Sequence, residues 1–332
     1  MESMLFIGLL LVIFGGICSG IFAIPFKCTK KWNWENHWFI WSIIALIIAP
    51  WFVSSYDLKS IITLYSQNTE SLIYISIFGL LWGFGAILFG KGIAYLGNSL
   101  GLSIMQGLIN IIGTMAPIIY LDSSKLLSPL GMKLLIGISI MFIGILMFAN
   151  AGKSRDGNTI ADGKSKNFKR GLIICILAGI LGPMINISFV YGQSLIQSAV
   201  NMGMPQYMAS NTVWSIALTS GAIINIIECV RLFKKNKSWS LYKTNTRNGL
   251  LADSLSGIIW FSSILLYGIG VLKMGKYGTS VGWATMQGVC ILAANTAGIL
   301  TKEWKGSDKK TMNKLYLGIV FLLIGILVIA FN

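Results

Sequence analysis

The chain has 332 residues, of which 55% are hydrophobic and only 11% charged, and its formal net charge is +15. Because water-soluble domains carry roughly a quarter charged residues, this composition excludes a soluble globular domain. The five cysteines are dispersed without a C-x-x-C pair and His37 is the single histidine, so the sequence predicts no metal site, no cofactor and no disulfide framework.

Apolar segments of about 20 residues, the length that crosses a hydrocarbon core of roughly 30 Å, recur along the whole chain. The sequence therefore predicts an all-α polytopic membrane protein with ten transmembrane helices, called spans 1 to 10 below. Their expected bounds are 4–24, 38–56, 72–92, 98–120, 132–150, 171–192, 206–228, 250–272, 281–301 and 314–331.

The basic residues are distributed very unevenly between the connections. The odd-numbered connections hold 21 Lys and Arg residues and the even-numbered ones hold five. Since positive residues stay in the cytoplasm, this predicts cytoplasmic odd connections, both termini on the outer side of the inner membrane, and contact with lipid head groups. The charge therefore does not indicate nucleic-acid binding.

A nine-residue segment occurs twice in similar form. "SLGLSIMQG" at Ser99–Gly107 recurs as "SVGWATMQG" at Ser280–Gly288, an offset of 181 residues. The segment Trp82–Gly97 aligns with Trp260–Gly275 at an offset of 178, and the stretch from Gly8 resembles more weakly the one from Gly171, an offset of 163. Spans 1–5 therefore correspond to spans 6–10.

A unit with an odd number of spans must be inverted in its second copy. The sequence predicts a first five-helix repeat at 1–150, a cytoplasmic polar linker at 151–170 and an inverted second repeat at 171–332. Inverted repeats build transporters whose substrate site lies at the repeat interface near the midplane of the membrane.

Small residues and one proline predict how the helices pack. Pro183 lacks an amide donor and should kink span 6. Pairs of glycines four residues apart place small residues on one helix face, where backbones can approach closely. These pairs are Gly16 and Gly20, Gly79 and Gly83, Gly97 and Gly101, and Gly278 and Gly282.

Three stretches have a familiar pattern: "IPFKCTKKWNWENHWFIWSIIALIIAPW" from Ile24, "FGLLWGFGAILFGKGIAYLGNSLGLSIMQGLINIIGTMAPII" from Phe78, and "TKEW" from Thr301. They resemble the bacterial L-rhamnose–proton symporter family, a member of the drug/metabolite transporter superfamily. The resemblance implies a proton-coupled importer of L-rhamnose or a related 6-deoxyhexose. The alternative is an exporter or exchanger of another small polar metabolite. An intramembrane enzyme is disfavoured, since one histidine supplies neither a nucleophile–base pair nor a metal cluster.

A neutral sugar presents hydroxyl groups and an apolar ring face, so its site needs amides and flat aromatic rings. The alternative for each such residue is an interhelical hydrogen bond or ordinary packing. The candidate substrate-binding residues are Gln106, Gln287, Trp82, Trp260, Asn110, Asn186 and Asn295.

Proton coupling needs a titratable group within the membrane, where a central charge costs roughly 2.5–3.5 kcal/mol. Asp253 and Glu228 are the candidates, both about one turn from the cytoplasmic face. Asp253 could instead complement the dipole of span 8, and Glu228 could simply pair with Arg231 three residues on.

Overall fold

The computed structural model describes residues 2–29, 31–156, 166–244 and 246–330, and their side chains except those of 2, 56, 97–100, 156, 166 and 167. The regular structure in these ranges is entirely helical. The helices are Glu2–Ile21, Ile24–Cys28, Trp34–Ile43, Ile44–Ile48, Ala49–Ser54, Ser55–Asp57, Leu58–Gln67, Thr69–Asp122, Ser123–Leu127, Pro129–Asp156, Lys166–Leu181, Met184–Tyr191, Gln193–Asn201, Gln206–Asn236, Ser238–Lys243, Thr246–Lys273, Gly278–Leu300 and Lys309–Ala330.

The prediction of ten spans is confirmed. Ten segments among the described residues are long and apolar enough to cross a membrane. Spans 1 to 10 are Ser3–Cys28, Trp34–Ser54, Thr69–Leu96, Gly101–Leu127, Pro129–Arg155, Phe168–Asn201, Gln206–Asn236, Thr246–Lys273, Gly278–Leu300 and Lys309–Ala330. Of the predicted linker 151–170, residues 157–165 lie outside the described residues.

Spans 3 and 4 belong to one hydrogen-bonded element, yet the chain reverses between them. A Cβ added to Gly101 would lie 3.2 Å from the carbonyl oxygen of Gly92. Nine residues of straight helix would separate these positions by about 13 Å. The two spans are therefore antiparallel neighbours, and the chain reverses its direction between Gly92 and Gly101.

The predicted break in span 6 is confirmed. One helix ends at Leu181, and the next begins at Met184 directly after Pro183. Gly182 donates the last regular hydrogen bond, to the carbonyl of Ala178 at 2.8 Å, and the amide of Asn186 then donates to Pro183 at 2.9 Å. Proline has no N–H for the ladder, which explains why the helix restarts here.

The odd-numbered connections gather on one face of the bundle, here called the odd face. Lys27, at the end of span 1, forms an ion pair with Glu303 in the connection after span 9. At the opposite, even face, Lys276 in the connection after span 8 lies 3.8 Å from Asp122 at the end of span 4. The connections therefore alternate between the two faces of the bundle.

Close backbone approach at glycine is confirmed where spans 3 and 7 cross. A Cβ on Gly79 would lie 2.3 Å from the carbonyl oxygen of Ala217, and one on Gly83 would lie 2.7 Å from that of Gly221. Such close crossings are how helices associate in lipid.

Replacing Gly79 by alanine should therefore lower the melting temperature, because span 7 must move away at an overpacking cost of about 1–3 kcal/mol. Gly90→Ala on the same span is the matched control, since an added Cβ there meets nothing within 4 Å. Thermal unfolding in detergent measures both variants. Equal melting temperatures would contradict this account of the crossing.

Candidate functional site

A cavity of about 250 Å³ opens at the odd face between spans 4, 5 and 9. Ligand sites for small molecules begin at about 300 Å³, so the space suits a ligand of modest size. Its walls are mainly apolar and include Leu102, Phe148 and Ala294, while Gln106 and Asn295 contribute amides. The cavity therefore combines an apolar surface with a few hydrogen-bonding groups.

Charged side chains frame the end of this cavity nearest the odd face. The guanidinium of Arg155 lies 4.6 Å from the ring centroid of Trp304. Glu303, which also lines the cavity, accepts a hydrogen bond from Lys27. This bond holds the pKa of the Glu303 carboxyl below its ordinary value. Glu303 therefore stays ionised at neutral pH and is unsuited to exchanging a proton in that range.

One face of span 4 carries polar groups that the protein leaves unpartnered. The side-chain oxygen of Gln106, both polar side-chain atoms of Asn110 and the hydroxyl of Thr114 are buried without a hydrogen-bond partner among the described residues. These positions follow one another at helical spacing, starting at the cavity and running toward the even face. Buried polar groups are normally hydrogen-bonded, so this stripe is suited to a polar ligand or water.

Towards the even face the space between spans 4 and 9 is filled. The indole of Trp283 donates to the carbonyl of Ile109 at 3.1 Å. A Cβ on Gly113 would lie 2.1 Å from Trp283 Nε1, so only glycine leaves room for the ring. Trp283 is 4% exposed.

Asn186 completes this closure. We call the group of Trp283, Gly113, Asn186 and Tyr267 the even-face seal. The Asn186 amide donates to the carbonyl of Gly113 at 2.9 Å. Its side-chain oxygen accepts a bond from the hydroxyl of Tyr267, which also contacts the carbonyl of Thr279 at 3.1 Å. The break at Pro183 positions Asn186 for these contacts, which use both ends of its amide.

Trp82 and Trp260 stack on each other, with ring centroids 5.6 Å apart and an interplanar angle of 22°. Trp41 meets Trp260 edge-on at 5.0 Å. Both predicted residues are 9% exposed and do not line the cavity. In this conformation they form an aromatic cluster between spans 2, 3 and 8, and their role in sugar stacking stays a prediction.

The remaining amide candidates are placed differently. Asn295 lines the cavity and donates to the carbonyl of Ile291 in its own helix at 2.9 Å. Gln287 is partly buried and does not line the cavity. The structure thus brings Gln106 and Asn295 to one space. Asn110 lies buried one turn beyond Gln106, and neither it nor Gln287 lines the cavity.

Asp253 is fully buried and is partnered by His37. The Nδ1 atom of His37 lies 2.9 Å from Oδ1 of Asp253, and the second carboxyl oxygen has no partner among the described residues. The rings of Phe26 and Trp32 flank the imidazole at 5.1 and 5.5 Å. The pair is therefore buried in largely apolar surroundings, and its role in proton coupling stays a prediction.

Glu228 is engaged in an ion-pair cluster. Arg231 donates to both of its carboxylate oxygens, at 2.7 and 2.8 Å, and Lys91 lies 3.2 Å away. Two cations compensate this carboxylate, which favours the alternative that Glu228 serves as a charge partner. Its role in proton coupling stays a prediction.

A model of the L-rhamnose-proton symport protein (RhaT) family matches residues 1–332. The chain belongs to this family. It is 28% identical to the L-rhamnose-proton symporter of Citrobacter koseri, 27% identical to that of Escherichia coli (strain 55989) and 29% identical to that of Yersinia pestis (strain Pestoides F). Each comparison covers 98% of this chain and 97% of the relative.

Membership of the RhaT family makes this a multi-pass membrane protein of a transporter family. Sequence reasoning missed three of its features: His37 as the partner of Asp253, Trp283 as part of the even-face seal, and Tyr267 as the partner of Asn186. A signal for His37 was present, because it lies within one turn of the apolar run of span 2. No local pattern indicated that Tyr267 and Trp283 would lie opposite polar atoms of other spans.

Proposed function

We propose that this RhaT family member is a secondary transporter, and not an enzyme, that imports L-rhamnose or a related 6-deoxyhexose together with a proton. The relatives' names supply the substrate and the coupling ion. The observation that carries the proposal is the cavity at the odd face, from which the unpartnered stripe of span 4 leads toward a sealed even face. The charge distribution supports an inner-membrane location with the odd face in the cytoplasm and both termini outside.

The two halves of the chain are proposed to be inverted repeats, as in the drug/metabolite transporter superfamily. Contacts at equivalent positions support this. Gly16 packs on Val289, and at offsets of 163 and 181 their counterparts Gly179 and Leu108 are also in contact. This paired contact joins span 1 to span 9 and span 6 to span 4.

A second pair of contacts follows the same rule. Gly270 packs on Val12, and at offsets of 178 and 163 their counterparts Gly92 and Cys175 are in contact. Two independent contacts thus repeat between helices that the alignment relates. An inverted architecture of this kind supports alternating access about the repeat interface.

The repeat also explains where the protein is open. At the offset of 181, the sealing contact of Trp283 with Gly113 corresponds to Leu102 and Ala294. Both of those residues line the cavity. Trp283 and Gly113 therefore close the even face, whereas the equivalent pair Leu102 and Ala294 lines the cavity that is open at the odd face. We infer that the structure represents the state open to the cytoplasm.

Sugar hydroxyls are proposed to bind the amides of Gln106, Asn110 and Asn295. The first two present unpartnered atoms that a hydroxyl can satisfy as donor and acceptor. Trp82 and Trp260 could stack on the ring only if their pair separates, and Asn186 and Gln287 could contribute in another conformation. Asp253 with His37 is the proposed proton site, and Glu228 the less favoured one.

Uptake of radiolabelled L-rhamnose into proteoliposomes, with and without an inward proton gradient, tests the function. Gradient-driven uptake that unlabelled 6-deoxyhexoses compete with would support it. An exporter or exchanger of another metabolite, the second candidate, predicts no stimulation by acidification of the outside. No rhamnose transport by folded protein in either condition would contradict the sugar assignment.

Replacing Gln106 by alanine should raise the KM for the sugar about two- to tenfold, because a hydrogen bond between neutral groups contributes about 0.5–1.5 kcal/mol. Gln193→Ala is the matched control, since Gln193 donates to the Phe189 carbonyl within its own span, away from the cavity. Initial uptake rates over a range of sugar concentrations measure both variants. An unchanged KM in Gln106→Ala would remove this residue from the site.

A further inference from the structure

A groove between spans 3 and 7 near the odd face lies outside the site described above. Its volume is about 240 Å³, and it is lined by Lys91, Glu228 and Arg231 together with apolar residues. At its floor an added Cβ on Gly90 would meet nothing within 4 Å. Empty space beside two cations is therefore present at the depth where a helix leaves the membrane.

Glu228 neither neutralises the two cations of this cluster fully nor occupies all of their hydrogen-bond donors. Arg231 donates two of its N–H groups to Glu228, and Lys91 contacts the same carboxylate with one N–H group. Guanidinium and ammonium groups carry five and three N–H donors, so five donors and one net positive charge are left over. The two basic side chains are 54% and 44% exposed. Glu228 thus holds the two cations side by side without neutralising them.

Apolar stripes lead from the membrane interior to these two cations. On span 3, Phe84 lies two turns before Lys91, while Ile87 between them is only 7% exposed and lines the groove itself. On span 7, Ile223 and Ile227 precede Arg231 at helical spacing. Phe84, Ile223 and Ile227 are 51%, 51% and 61% exposed, as befits lipid-facing positions. A molecule that follows both stripes must be apolar along its length and anionic at its end.

We propose that this groove binds an anionic phospholipid, with its phosphate diester held by Lys91 and Arg231 and its acyl chains lying along the stripes of spans 3 and 7. Basic pockets between transmembrane helices on the cytoplasmic side are suited to such head groups. Trp34, 42% exposed at the rim of the groove, suits the interfacial region where indole rings concentrate. The proposal is independent of the transported substrate.

Native mass spectrometry of the detergent-purified protein titrated with phosphatidylglycerol tests the site. The double variant Lys91→Gln/Arg231→Gln should bind the first lipid more weakly, by about fivefold for each cation removed. Lys234→Gln/Lys235→Gln is the matched control, because it removes the same charge from exposed positions one turn further along span 7. It should bind as the parent does, and phosphatidylcholine should bind all three equally weakly.

A second variant separates the groove from its ion pairs. Gly90→Leu fills the open floor while all three charged residues remain, so it should fold and yet lose phosphatidylglycerol binding. Glycerol phosphate, which has the anion without acyl chains, should not compete. Equal binding by the parent and Gly90→Leu, equal losses in the two double variants, or full competition by glycerol phosphate would each overturn the proposal.

Discussion

Replacing Gly113 by alanine is expected to shift the protein toward the state open at the even face. The new methyl group would lie 2.1 Å from Trp283 Nε1, and the indole must withdraw from the seal. Alanine is also the better helix former, so span 4 itself is not weakened. The overpacking cost of about 1–3 kcal/mol corresponds to a shift of about 5- to 150-fold in the equilibrium between open and sealed.

Reaction of a cysteine at Thr114 with a membrane-impermeant thiol reagent measures this shift. Thr114 is fully buried beside Gly113 in the sealed state. Thr114→Cys should react slowly from the outer side in the parent and at least about fivefold faster when Gly113→Ala is added. Trp283→Phe, which loses the bond to Ile109 and part of the ring surface against Gly113, should give an increase of at least about threefold, because the bond alone contributes about 0.6 kcal/mol on average.

The control for the seal is a second tryptophan that also loses one hydrogen bond. Trp51 donates to the Thr219 hydroxyl at 2.8 Å between spans 2 and 7, away from the seal. Trp51→Phe should leave the labelling rate unchanged. If Gly113→Ala labels no faster than the parent although it is folded, Trp283 and Gly113 do not form a gate.

The fold was predictable because its signals are local or periodic. Apolar length gave the ten spans, and Pro183 gave the break in span 6. The packing of Gly79 and Gly83 followed from their spacing, since bare glycine faces have few uses in lipid other than close contact. These features depend on the properties of one segment at a time.

The site was predictable only in part, because its contacts join distant segments. The amide of Gln106 indicated a polar cavity, and the structure places it there. Asn186 has the same chemistry, yet its amide is used by Gly113 and Tyr267. Which amide faces a cavity and which seals two helices depends on the tertiary arrangement, and composition does not encode it.

Replacing Asp253 by asparagine is expected to abolish accumulation of the sugar against its gradient while exchange of internal for external sugar continues. Asparagine retains the size of the side chain and one hydrogen-bond acceptor for His37, but it cannot take up and release a proton. A symporter without its proton site can still alternate when loaded with sugar. Counterflow and gradient-driven uptake in the same proteoliposomes measure the two activities separately.

Glu228→Gln is the matched control for this substitution. It also neutralises one carboxylate near the odd face, but one that is partly buried and that Arg231 and Lys91 already compensate. Gradient-driven uptake should persist in this variant. If Glu228→Gln loses accumulation and Asp253→Asn keeps it, the proton site is at Glu228.

The variant His37→Gln tests whether His37 positions Asp253 for proton exchange. A variant that merely destabilises the fold lowers uptake equally at every pH, so the pH dependence of uptake distinguishes the two roles. Tyr242 is a titratable group close to Asp253, and Glu35 lies two residues before His37. Glu35 accepts from Asn236 at 2.9 Å and from Ser238 at 2.5 Å, and burial raises the pKa of the Tyr242 phenol, so that phenol stays neutral. The pH dependence of uptake should therefore move in His37→Gln and remain in Glu228→Gln. A profile in His37→Gln that keeps the parent's shape would show that the imidazole does not influence the proton on Asp253.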